Sequence, residues 1–92
     1  MQQESAEAIA LKALAWIASD EELLGVFMGA TGASPEDLKA RLNEPEFLVS
    51  ILEFLTMDDA WVVRFCDTHR LNYEAPLEAK QSLPGGGQVH WT

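Results

Sequence analysis

The sequence predicts an all-α domain of five or six short helices, and three observations carry that prediction. Helix caps recur along the whole chain while strand punctuation is absent. Apolar residues return every three or four positions. Two segments, Ala8 to Ala18 and Phe47 to Leu55, are apolar on more than one face, the mark of helices buried on several sides. The helical domain is expected to span 1–83, with 84–92 a glycine-rich hinge and C-terminal tail.

The first helix, Ala6 to Ser19, follows from Ile9, Ala13 and Trp16 alternating with Ala10, Leu14 and Ile17, all among good helix formers. Asp20 suits the N-cap of the second, because its carboxylate can accept from the free amides of the next turn. Leu23, Leu24, Phe27 and Met28 form that helix's stripe, and Gly32 can take the left-handed conformation that closes it. "SPED" reads as a capping box, with Ser34 as cap, Pro35 at the first helical position and Asp37 reaching back; this helix runs to about Leu42. Asn43 is the expected cap of the fourth helix, Glu46 to Met57. Thr56 or Asp58 starts the fifth and Asn72 the sixth, which runs to about Leu83 and holds Pro76 awkwardly near its start. "LPGGG" then ends regular structure.

A shift of 38 residues aligns Leu14 with Leu52, Asp20 with Asp58, Leu23 with Trp61, Phe27 with Phe65, Met28 with Cys66 and Ser34 with Asn72. Identities are few, so a duplication of two three-helix units rests on coincident caps and core positions. It predicts that the first and fourth helices pack together at the centre about a pseudo-twofold. Isolated helices shorter than about 12–15 residues are marginal, so burial must hold these.

Fifteen acidic against six basic residues give 92 residues a formal charge of −9, which disfavours nucleic acid and anionic membrane surfaces as partners. The chain shows no signal-peptide pattern, and its longest apolar stretch is too short to span a bilayer. One cysteine excludes internal disulfides and suits a reducing cytoplasm.

Candidate chemistry is sparse. "FCDTHR" places Cys66 and His69 three apart, on one helical face. A metal site needs three or four converging ligands, and a cysteine nucleophile needs an oriented base. Cys66 instead reads as a small buried hydrophobe in the position of Met28, and His69 and Arg70 as residues suited to a helix C-terminus. "DEE" at Asp20 to Glu22 and "MDD" at Met57 to Asp59 read as helix starts. "LPGGGQ" lacks the lysine of a phosphate loop. No catalytic, metal or cofactor residue is therefore assigned. The tail "QVHWT" carries an apolar anchor, Trp91.

The stretches "ALAWIASDEELLGVFMGATG", "SPEDLKARLNEPEFLVSILEFLTMDDAWVVRFCDTHRL" and "LPGGGQVHWT" resemble an uncharacterised family of small helical proteins of alphaproteobacteria, a domain of unknown function. The resemblance implies an all-helical fold and a bacterial cytoplasmic setting, and carries no activity or site residue with it.

The function expected from the sequence is a non-catalytic protein–protein interaction module, acting on an unknown protein partner or by self-association. Its surface would comprise Leu11, Ala15 and Ala18 on the first helix with Val89, His90 and Trp91 of the tail. The alternative is a small ligand- or metal-binding protein using Cys66, His69 and His90, which requires the tail to fold over the fifth helix.

Overall fold

The computed structural model describes residues 1–86. Among them lie six helices and no strand: α1 (Gln3–Ala18), α2 (Glu21–Thr31), α3 (Pro35–Ala40), α4 (Pro45–Thr56), α5 (Asp59–His69) and α6 (Ala75–Ser82). The all-α expectation holds.

Side-chain caps set the starts of three of the six helices. Asp20 accepts from the Leu23 amide at 3.2 Å, and Asp58 accepts from the Ala60 and Trp61 amides at 2.8 and 3.3 Å. Ser34 and Asp37 make the reciprocal box, Asp37 N–H to Ser34 Oγ at 3.2 Å and Ser34 N–H to Asp37 Oδ2 at 2.9 Å. That box matters because α3 has six residues and buries none of them. Gly32 closes α2 in the left-handed region at φ 74°.

Two expected caps are corrected. The fourth helix is capped by Glu44 and not by Asn43, with Pro45 as its first residue. A residue before proline is driven out of the α region, so Glu44, at φ −92° and ψ 119°, has to be the extended residue. The sixth helix starts at Ala75 behind Glu74, not behind Asn72. The later start places Pro76 in the first turn, where its missing N–H breaks no helical hydrogen bond. Helix α1 also begins three residues earlier than expected, at Gln3, and α3 ends at Ala40.

Helix α4 is the central element. It buries Phe47, Leu48, Val49, Ile51, Leu52, Phe54 and Leu55 and packs against α1, α2, α5 and α6. Its two half-buried polar residues bond back into the helix, Ser50 donating to the Phe47 carbonyl at 2.6 Å and Thr56 to the Leu52 carbonyl at 2.8 Å. The predicted α1–α4 contact is present, but α1 lies as extensively along α6, whose Ala75, Pro76 and Ala79 are buried. Helix α1 buries Ala6, Ile9, Ala10, Ala13, Leu14 and Ile17 on one side only, leaving Ala8, Leu11, Lys12, Ala15 and Ala18 exposed.

The 38-residue correspondence survives in the caps and stops at the third helices. Asp20 with Leu23 N–H and Asp58 with Trp61 N–H are the same contact one repeat apart. Gly32 and Arg70, again 38 apart, both close their helices in the left-handed conformation, with amides donating to Met28 O and Cys66 O. Helix α6 then packs on α1 and α4, whereas α3 makes no comparable contact with α4. The pseudo-twofold expected for whole units therefore does not extend to them.

The described chain ends in a turn docked on α6. Gly86 N–H donates to the Leu83 carbonyl at 3.0 Å, and a Cβ at Gly86 would run into the Lys80 carbonyl.

Candidate functional site

The α5–α6 corner answers the question raised by "FCDTHR". Cys66 is fully buried, and its thiol donates to the Asn72 carbonyl at 3.4 Å. Burial pushes this thiol up from its ordinary pKa, and the charges of Asp67 and Glu74 push it the same way. A nucleophilic or metal-binding cysteine needs the thiolate, which these surroundings disfavour. His69 is half-buried with its ring tilted against Phe65, centroids 4.8 Å apart. Tyr73 donates to Asp67 at 2.8 Å, and that bond raises the phenol pKa. The Cys66–Asn72 and Tyr73–Asp67 bonds fasten the chain that follows the left-handed Arg70 back onto α5, and the buried thiol fills space between helices. Among the described residues no three His, Cys, Asp or Glu side chains cluster as metal ligands. His90 lies outside the described residues.

The expected interaction face of α1 is open. Leu11 is 41% exposed, and Ala15 and Ala18 are exposed beside it. Successive helical residues are about 100° apart, so Leu11, Ala15 and Ser19 form a slowly turning strip with Ala18 at its edge. The other residues expected on this surface, Val89, His90 and Trp91, lie outside the described residues.

That strip leads into a hollow at the α1–α2 corner. Ser19 lines it with Trp16, Asp20, Leu23 and Val26, and α5 contributes Trp61 and Arg64. The hollow holds about 380 Å³, within the range of about 300–1,000 Å³ usual for ligand sites. Its indoles are fixed from behind. Trp16 meets Phe65 edge-on at 6.0 Å, and Trp61 stacks on Phe54 at 4.8 Å. Both tryptophans are half-buried, and Val26 at the opening is 53% exposed.

A second hollow of about 440 Å³ follows along α2, between Ala30 and Thr31 on one side and Phe47 and Phe54 of α4 with Met57 at its end on the other. Met57, at 76%, is the most exposed large apolar residue described. Arg41 stands over the Phe47 ring at 5.2 Å while bonded to Glu44 at 3.1 Å, and so covers one end.

Sequence reasoning treated Trp16 and Trp61 as core positions and missed the hollow. A signal was available, since tryptophan is seldom fully buried.

No helix among the described residues is long and apolar enough to cross a membrane. Residues 3–86 match the model of a family described as "Protein of unknown function (DUF3572)". Neither the curated proteins nor the solved structures contain a match.

Proposed function

The chain belongs to the DUF3572 family, whose description assigns no activity, and we propose from its own surface that it is a non-catalytic protein–protein interaction module. One observation carries this reading: the open strip of α1 from Leu11 through Ala15 runs by way of Ser19 into the hollow walled by Trp16 and Trp61. Apolar side chains left beside rigid, partly covered indoles are the composition of an interface core, where tryptophan anchors dominate the binding energy. The hollow offers shape and apolar area, and its polar lining residues, Ser19, Asp20, Glu22 and Arg64, are all exposed. A bacterial cytoplasm, with its reducing conditions, is the setting that accompanies this reading.

The test is photo-cross-linking in the cells that make the protein, with a photoreactive residue placed at position 11 and, separately, at position 26. Adducts to a discrete protein from either position, absent when the label sits at Glu78 on exposed α6 surface, are the expected result. A chain that yields no adduct from either position and sediments as a monomer has no such surface.

A further inference from the structure

The two hollows stand at successive turns of α2 and share the Phe54–Trp61 stack, which presents one ring to each. Val26 and Ala30, one at each hollow, are a turn apart on one face of α2, so a rod lying along this seam passes both. Gly25 and Gly29 are exposed on the same helix, and among the described residues a Cβ at either would meet nothing within 4 Å beyond its own stretch of helix. Glycine within a helix is disfavoured relative to alanine. The fold has no steric need of it here, and the missing side chains keep the surface low beside Val26.

Charge decides what could lie there. The seam carries the carboxylates of Asp20, Glu22, Glu46 and Glu53 against the guanidiniums of Arg41 and Arg64, and Arg41 is already held by Glu44 and the Phe47 ring. The chain as a whole carries −9. A second copy would bring the same surplus against it, whereas a basic partner would be steered toward it.

We infer that the seam receives a cationic amphipathic helix of a partner protein, with an apolar anchor in each hollow and Lys or Arg facing the carboxylates. This rests on the interaction reading and adds to it the chemistry of the partner. Such a helix presents its anchors at i, i+3, i+4 or i+7 to a groove.

The test uses a synthetic helix of leucine and lysine with an apolar stripe, and its leucine–glutamate counterpart as control. Binding is read from the fluorescence of Trp16 and Trp61 in the full chain carrying Trp91→Phe. Saturable binding of the lysine peptide alone is expected. Glu22→Arg with Glu53→Arg weakens it about tenfold or more, a loss of at least one 1.4 kcal/mol step. Glu4→Arg with Glu7→Arg makes the same change in net charge about 13–18 Å before Trp16 along α1, beyond the Debye length, and leaves binding within about twofold. Equal weakening by both pairs, binding of the glutamate peptide, or no saturable binding overturns the inference. The cross-link from position 26 separates this inference from the reading beneath it. An adduct mapped to a basic amphipathic segment supports both. An adduct mapped to an acidic or uncharged segment leaves the interaction module standing and removes the cationic partner.

Discussion

Phe54 of α4 and Trp61 of α5 stack face to face, centroids 4.8 Å apart and planes 27° from parallel. Phe54 meets Phe27 of α2 edge-on at 5.2 Å, so one aromatic column ties three helices behind the first hollow. An aromatic pair contributes about 0.5–1.5 kcal/mol beyond the area it buries. Trp61→Ala is therefore expected to lower the unfolding free energy by about 2 kcal/mol, less than a fully buried tryptophan would. Trp61→Phe should lose less than half of that. Urea unfolding followed by circular dichroism measures both, and equal losses in the two variants would show that the stack contributes nothing.

Cys66 should behave as a packing residue. Its native-state reaction with an aromatic disulfide reagent is expected to be slow and to follow the opening of the α5–α6 corner, becoming fast in concentrated urea. Its pKa also sets a direction with pH. The native thiol is raised above its unfolded value, so the folded state holds its proton where the unfolded chain releases it. The stabilisation is complete below about pH 8.5, the ordinary thiol value, and declines as pH rises toward the folded one. Between about pH 8.5 and 10, before tyrosine ionises, the native chain should lose stability faster than Cys66→Ala does. Parallel slopes for the two proteins would contradict this assignment.

The box at the start of α3 gives an acid-side counterpart. Ser34→Ala should cost about 1 kcal/mol, as loss of an N-cap does. Because α3 buries no side chain, the loss should appear as faster amide exchange in α3 more than in α4. The Asp37 carboxyl is lowered chiefly by the hydrogen bond from the Ser34 amide. Its contribution is present above the ordinary carboxylate pKa and disappears as pH falls through the depressed folded value. Exchange across α3 should accelerate over that acid window in the native chain and not in Asp37→Asn.

Gly32 and Arg70 occupy the same left-handed closing position, with φ 74° and 56°, and only one of them is glycine. A left-handed conformation costs a residue with a Cβ about 1–2 kcal/mol. Gly32→Ala should therefore destabilise the domain by about 1 kcal/mol, and Arg70→Gly should stabilise it by up to a similar amount. Thermal unfolding of the two variants should shift in opposite directions. Destabilisation by Arg70→Gly would mean that the arginine side chain offsets its backbone strain.

Much of the architecture was legible in local chemistry. Asp20, Gly32, the Ser34–Asp37 pair and Asp58 each satisfy orphan amides or carbonyls within a few residues, so their roles could be read from spacing. Asn43 failed because the restriction that Pro45 places on its predecessor outweighs the capping preference of asparagine. Asn72 failed for a related reason, since a helix starting there would have carried Pro76 past its first turn. The packing of α6 on α1 could not be read at all. Ala75, Pro76 and Ala79 are small and carry little periodic signal, and α1, which covers them together with α4, is more than 50 positions away in sequence. For the site, the burial of Cys66 and the exposure of Leu11 followed from helical arithmetic. The hollow did not, because it depends on where Trp16 of α1 meets Trp61 of α5.

The packing of α6 along α1 has a consequence for how the chain acquires its shape. Helix α1 leaves the ribosome well before the α6 it packs against, and translation at roughly 5–20 residues per second separates them by several seconds. In that interval Ile9, Leu14 and Ile17 have only part of their eventual cover. The nascent chain passes through a stage in which part of the apolar face of α1 is available to chaperones, and docking of Ala75, Pro76 and Ala79 brings that stage to an end.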